Sequence, residues 1–404
     1  MSKRILVIGA GFAGMWSALA AARLLDQVGR TDVEVALIAP VPELHVRPRL
    51  YEHNPEAMKV PLLDIFAATG VRFIQGMVET IDVAKQEVGI IGLGADTALR
   101  SLGYDRLVLA AGSRLNCPPI PGLQDHTFNV DQISDAVRLG EHLRSLTSRP
   151  DSARRNTVVV AGAGFTGIET AAEMPARLRE ILGEDAAVQV VMVERNDEVG
   201  PDLGPGPRPV ITQALDELGV VCKLGSGVAA VDAEGVRLES GERIEADTVI
   251  WTAGMRASAL TAQVPGERDA FGRLHVERSL AVKGVDHVFA TGDCAYAATD
   301  DDGNHATMSC QHAMNLGRAS GHNAAADMIG HEHWTYSQPD YVTCLDLGPW
   351  GAVYTEGWER EVKLTGAVGK ARKVVINTDW IYPPKSLDRA TIFAESDPAR
   401  IVVA

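Results

Sequence analysis

Arg4 to Gly14 reads RILVIGAGFAG, a short apolar run closed by glycines at positions 9, 11 and 14. Ile5 to Ile8 is β-branched and aliphatic and is bounded by glycine, the pattern of a strand buried on both faces of a parallel sheet. MWSALAAARLL follows, rich in alanine and leucine, and predicts a helix. Strand, G-x-G-x-x-G and helix in that order form a dinucleotide-binding context. Gly9 would make the tight turn, Gly11 would let the backbone approach a pyrophosphate, and Gly14 would let helix and strand pack closely. The free N–H groups of the helix start would face the anion.

Working outward, the second half repeats the first. Thr157 to Ala161 (TVVVA) is a strand, Gly162, Gly164 and Gly167 form a second G-x-G-x-x-G, and Ile168 to Glu173 opens a helix. Tyr104 to Gly112 (YDRLVLAAG) and Asp247 to Gly254 (DTVIWTAG) echo each other, and each closes its own half. Their small-residue turns make Ala111, Gly112 and Gly254 candidate cofactor contacts. One such site suggests a dehydrogenase. Two imply a flavoprotein that takes hydride from a nicotinamide nucleotide, with FAD in the first site and NAD(P)H in the second.

The two halves differ at the ribose. Val188 to Val193 ends in Glu194, placed to accept hydrogen bonds from the adenosine ribose and so to favour NADH. Arg195 beside it could accept a 2′-phosphate, which keeps NADPH open. In the first half, Val33 to Ala39 (VEVALIA) ends without an acid, so the flavin ribose must be held by Glu43 or by backbone groups. Further on, Arg47 and Arg49 could each pair with a phosphate or a flavin edge, or belong to an ordinary surface turn. Val285 to Asp293 (VDHVFATGD) ends in Gly292 and Asp293, a turn that can aim a carboxylate at a sugar hydroxyl.

A length of 404 residues implies several domains. The expected fold is α/β: two Rossmann-like dinucleotide-binding domains plus a small α+β C-terminal domain. Residues 1–122 and 264–330 would form the FAD-binding domain, 123–263 an inserted NAD(P)H-binding domain, and 331–404 the C-terminal domain. A formal net charge of −15 argues against a nucleic-acid partner. Cys117, Cys222, Cys294, Cys310 and Cys344 are scattered, with no close-spaced pair, which fits a reducing compartment and no redox dithiol. No apolar run approaches ~20 residues, so no integral membrane segment is expected, and a cytoplasmic protein is anticipated. Asp300 to Gly303 lacks the rest of a calcium-loop pattern and reads as a solvated loop, so no metal is expected. Between the motifs, Val71 to Phe73 and Gly76 to Asp82 read as a strand pair, Gly89 to Gly94 as a hairpin, and Met308 to Met328 as a long helix. Past Gly330, aromatic residues cluster among β-like runs, with no amphipathic helix of useful length before Ala404.

Taken in order, GAGFAG, YDRLVLAAGS, GAGFTGIETAAE, DTVIWTAG, ATGD and the late KVVINTDWIYPP from Lys373 resemble the two-dinucleotide flavoprotein oxidoreductases. Within them, the chain is most similar to the type II NADH dehydrogenase (NADH:quinone oxidoreductase) family. The resemblance implies that Gly9, Gly11 and Gly14 hold the FAD pyrophosphate and that Asp293 binds its ribityl chain. It implies that Gly162, Gly164 and Gly167 hold the NADH pyrophosphate, with Glu194 on the ribose. Glu169 matches the family's glutamate near nicotinamide and flavin, and the helix after Met308 should direct its N-terminus at the flavin pyrimidine edge. Family members carry A-Q-x-A-x-Q at the quinone site; here Gln311 and Ala313 match, while Cys310 and Asn315 depart. Glu169 and Gln311 are therefore the catalytic candidates. A small-molecule acceptor, foremost a quinone, is the expected partner, and a homodimer is compatible with the family. Rival readings are a sulfide:quinone reductase, a ferredoxin or rubredoxin reductase, and a non-turnover NAD(P)H-sensing flavoprotein with a protein partner.

Overall fold

In the computed structural model, which describes residues 3–92 and 98–402, Lys3–Ile8 is the middle strand of a five-stranded parallel sheet. Its order is Val288–Ala290, Arg106–Leu109, Lys3–Ile8, Val33–Ala39, Arg72–Gln75. Ile5, Leu6 and Val7 are wholly buried, as a strand covered on both faces requires. A second parallel sheet is ordered Val220–Lys223, Gln189–Val193, Thr157–Ala161, Thr248–Trp251. The repeat seen in sequence is a repeat of topology. Ile8 pairs with Ile38 on one side and Leu109 on the other; Ala161 pairs with Val193 and Trp251 in the same way. The α/β class and the Rossmann-like halves stand as expected.

The chain passes between the halves along a two-stranded antiparallel link, Ser113–Leu115 with Met255–Ala257. One local expectation needs correcting. Arg72–Gln75 does not pair with the next strand; it is the edge of the first sheet, with Ala36 opposite Arg72. The chain then turns at Gly76, whose N–H donates to the Ala39 carbonyl at 3.1 Å. Met77–Asp82 beyond it enters a separate antiparallel sheet with Glu87–Ile91 and Leu99–Gly103. Alternation alone could not show that one glycine hands the chain from one sheet to another. The expected hairpin at Gly89 to Gly94 falls partly outside the described residues.

Phe12–Gln27 packs on Cys310–Ile329, the long helix expected after Met308. The contact is made by small residues at four-residue spacing. A Cβ on Gly317 would lie 2.5 Å from the Ala13 carbonyl oxygen, and one on Gly321 would lie 1.9 Å from that of Ser17. Ser17 Oγ donates to the Ala13 carbonyl at 2.7 Å and lies 2.9 Å from Ser320 Oγ. Gly321→Ala should therefore force the helices apart and cost about 3 kcal/mol. Urea unfolding checks this as a lower midpoint at unchanged slope.

The C-terminal part holds a three-stranded antiparallel sheet, Val342–Asp346, Ala352–Glu356 and Glu361–Leu364. Helix Gly366–Val375 lies on it, with Gly369 against the Ala352 carbonyl. This ten-residue amphipathic helix corrects the expectation that no amphipathic helix of useful length lies before Ala404, and it fits the α+β class expected of this region. Its buried stripe is Gly369, Lys373 and Ile376, while Val368, Val374 and Val375 are exposed. A valine-rich stretch reads as strand, and only the burial of residues four apart marks it as helix.

Candidate cofactor and electron-transfer site

The two glycine turns are built alike. Gly9 and Gly162 take φ of 107° and 112°, a region side chains rarely adopt. A Cβ on Gly9 would meet the Ala110 carbonyl at 2.4 Å; one on Gly162 would meet Ala253 at 3.0 Å. A Cβ on Gly14 or Gly167 would lie 1.9 or 1.8 Å from the carbonyl oxygen of Gly9 or Gly162. Outer glycines are thus excluded from carrying side chains by the protein's own backbone. The middle ones are not: Gly11 and Gly164 have nothing within 4 Å of where a Cβ would stand. Both adopt ordinary extended conformations at the first turn of a helix, with φ of −70° and −76°. Nothing inside the protein asks for glycine there. A ligand backed against the helix N-terminus does, so both turns fit a pyrophosphate.

Around the first turn, several predicted residues converge. A Cβ on Gly9 would stand 3.4 Å from the Ala111 Cα, and one on Gly292 would stand 2.7 Å from Ala13 Cβ. Asp293 Oδ2 accepts from Ser113 Oγ at 2.6 Å and lies 3.8 Å from Arg47 Nη1. Burial raises the Asp293 carboxyl, opposed by Arg47 and by the Ser113 hydrogen bond. Arg47 is bound to Asp131 through its side chain and donates Nε–H to the Asp131 carbonyl at 3.1 Å. It therefore serves protein carboxylates beside Gly112, the nearest atom to a Cβ there being Arg47 Nη1 at 4.0 Å. Arg49 is spent on Glu52 and Tyr382. Glu43 lies 3.5 Å from His45 and 3.6 Å from Lys59.

Around the second turn, Glu194 is buried and its oxygens are in use. Oε2 accepts from the Ala163 N–H at 2.8 Å, and Oε1 from the Asn196 N–H and side-chain amide at 2.9 and 2.7 Å. The acid braces the glycine turn, and a carboxylate's four lone-pair sites leave room for a ribose hydroxyl. Arg195 is exposed. Gly254, also exposed, accepts from the Asn116 N–H at 3.0 Å on the interdomain link.

Both catalytic candidates attach to one strand, Val342–Asp346. Gln311 forms two long hydrogen bonds with the Val342 backbone, 3.4 and 3.5 Å. Glu169 Oε1 accepts from the Asp346 N–H at 3.0 Å and from Lys373 Nζ at 2.7 Å. Lys373 also donates to the Cys344 carbonyl at 2.9 Å. Burial pushes the Glu169 carboxyl up to about 7, against the pull of Lys373. Burial opposes the Lys373 charge, but Glu169 outweighs it and holds the ammonium protonated. Asp346 in turn accepts from Lys370 at 2.5 Å and from the Tyr51 hydroxyl at 3.0 Å. Sequence reading gave no role to Lys373, Asp346 or Tyr51. The available signal was a lysine on the apolar stripe of a helix.

Cys294, Cys310 and Cys344 show no activation. Burial raises the thiols of Cys344 and Cys310 to about 11, and that of Cys294 to about 12. Thiolate, the reactive form, is scarce at such sites near neutral pH.

The model of the pyridine nucleotide-disulphide oxidoreductases matches residues 3–317, the span that holds both glycine turns. The chain belongs to that family. An NADH dehydrogenase-like protein of Mycobacterium tuberculosis is 46% identical over 399 residues, covering 98% of each chain. The type II NADH:quinone oxidoreductase of Staphylococcus saprophyticus is 25% identical over 363 residues, 86% of this chain and 88% of that one. Among solved structures, NDH2 of Plasmodium falciparum in complex with NADH superposes with a TM-score of 0.79 at 14% identity, covering 98% and 97%. This enzyme is thus a pyridine-nucleotide oxidoreductase with the fold of the NADH dehydrogenases. Among the described residues, no helix is long and apolar enough to cross a membrane.

Proposed function

We propose that the enzyme oxidises NADH held at the second turn, using FAD held at the first, and passes the electrons to a quinone. The carrying observation is the pair of glycine turns whose outer members are closed by backbone and whose middle members are open. The quinone-reducing relative supports the choice of acceptor. The bound flavin would supply the redox chemistry, accepting a hydride equivalent and releasing electrons. The protein's share is to bind, orient and hold charge. Gly9, Gly11, Gly14, Ala111, Gly112, Gly292 and Asp293 would hold the flavin nucleotide; Gly162, Gly164, Gly167, Glu194 and Gly254 would hold the nicotinamide nucleotide. Residues 1–122 and 264–330 would form one unit and 123–263 the other. Arg47 would act indirectly, by setting the charge beside Asp293. Glu169, its carboxyl raised by burial and bonded to Lys373, would hold a proton where the second helix meets the C-terminal sheet. Gln311 would fix the helix start against Val342.

Anaerobic stopped-flow mixing of the yellow protein with NADH, then menadione, tests the reading. Fast bleaching of the flavin and prompt recovery are expected. Bleaching without recovery by any quinone would remove the acceptor, and no bleaching by NADH or NADPH would remove the second site. Glu194→Gln keeps the shape but weakens both the brace on Ala163 and the ribose contact. The NADH concentration for half-maximal bleaching should rise about tenfold, a loss of roughly 1.4 kcal/mol.

A further inference from the structure

Away from both glycine turns, a cavity of about 590 Å³ opens between Phe12–Gln27, Cys310–Ile329 and the last described segment. It is within the size range of small-ligand sites. Trp16, Trp380 and Tyr382 give it flat apolar walls, and Arg318 and Arg400 reach it from two sides.

Arg318 is 2% exposed, among the largest fully buried side chains of the protein. A buried guanidinium normally has a carboxylate beside it, because an uncompensated charge out of water is expensive. Arg318 has none within ion-pair distance among the described residues. Its Nε donates to the Glu395 carbonyl at 2.7 Å, its Nη1 to Asn315 Oδ1 at 3.2 Å, and its plane lies 3.9 Å over the Trp16 ring. Nη2 has no hydrogen-bond partner among the described residues. Neither has the Trp16 indole Nε1, although Trp16 is 1% exposed. A second cation, Arg400, also lacks an ion-pair partner among the described residues and lowers the Arg318 charge affinity, after burial itself. The cavity's lysine, Lys385, is neutralised by Asp379 at 2.6 Å. Glu395 is the remaining acid on the lining; its backbone carbonyl accepts from Arg318, and its carboxylate, outside ion-pair distance, offsets burial and Arg400 only in part. In a chain of net charge −15, two arginines without an ion-pair partner among the described residues at one cavity are a local reversal of sign.

We propose that this cavity binds an aromatic carboxylate, its carboxylate taken by Arg318 and Arg400 and its ring laid among Trp16, Trp380 and Tyr382. A guanidinium with a free edge matches a carboxylate, and charge-assisted hydrogen bonds are the strong ones. The aromatic walls select a flat ring over a bare anion. The site lies away from the glycine turns, and its Arg318 is bonded to Asn315, which stands at the second glutamine of the A-Q-x-A-x-Q pattern.

Isothermal titration of the purified full-length protein with 2-naphthoate tests it, with 2-naphthalenemethanol as the uncharged counterpart and acetate as the ringless one. Naphthoate should saturate one site, with the alcohol and acetate each at least about tenfold weaker. Arg400→Gln, at an exposed position, should weaken naphthoate severalfold while leaving the alcohol unchanged. Arg318→Gln should do so more strongly, provided its circular dichroism matches the parent. Equal binding of naphthoate and the alcohol, no saturable heat with naphthoate, or indifference to Arg400→Gln would each overturn the assignment.

Discussion

Gly11→Val should give a folded, colourless protein. The middle glycine of the first turn has nothing within 4 Å of its missing Cβ and an ordinary φ of −70°. A Cβ there meets no protein atom within 4 Å, and the φ of −70° is one that side chains adopt. It does meet whatever backs onto the helix start. Blocking that approach should cost about 3 kcal/mol of binding, roughly a hundredfold, by analogy with overpacking. Gly164→Val, with nothing within 4 Å and φ of −76°, is the matched change in the second turn. That protein should stay yellow yet need about a hundredfold more NADH to bleach. The ratio of flavin to protein absorbance separates the two, and circular dichroism should leave secondary structure unchanged in both. Some thermal stability will be lost with the flavin by mass action alone. A Gly11→Val protein with its full complement of flavin would sink the assignment of the first turn.

The contrast with the outer glycines explains why the turns were legible in sequence. Gly9, Gly14, Gly162 and Gly167 are required by contacts of about 3 Å or less with fixed neighbouring atoms, and such contacts recur wherever a strand turns into a closely packed helix. Local chemistry fixed them, so local sequence showed them. The echo of Asp105 and Asp247 was legible for the same reason: each apolar run is a strand buried beside the first strand of its sheet. What sequence could not show was set by distant pairings. The hand-over at Gly76 depends on two sheets meeting. Arg47 looked available for a ligand until Asp131, 84 residues away, took it. Glu169 was singled out, but its environment comes from a strand and a helix roughly two hundred residues later, 177 and 204 positions on. An aromatic-rich C-terminal stretch gave no sign that it carried the cation for a carboxylate in the other half.

That cation sets the second large effect. Lys373→Met removes the one ammonium bonded to Glu169 among the described residues and leaves the carboxylate buried, 3% exposed, with the Asp346 N–H as its remaining partner there. Breaking a buried pair by deleting one partner costs about 3–5 kcal/mol. The loss must also depend on pH, and its sign follows from the proton. In the parent, burial holds Glu169 at about 7, above its ordinary value of 4.5. The folded state keeps the proton longer than the unfolded one. This site's contribution to stability is therefore whole at acid pH, falls between about 4.5 and 7, and is level above. Without Lys373 the carboxyl rises further, so the fall should continue past neutrality. Glu169→Gln removes the titration and should flatten the profile, gaining on the parent by up to about 3 kcal/mol between pH 5 and pH 8. The same variant should erase any step near pH 7 in the rate of flavin bleaching by NADH. Urea unfolding at pH 5.5, 7 and 8.5 and stopped-flow at the same three values read both effects. If Glu169→Gln keeps the parent's stability slope, the proton does not reside on Glu169. If the slope flattens while the bleaching profile is untouched, the pair holds the C-terminal sheet against the second helix and takes no part in electron transfer.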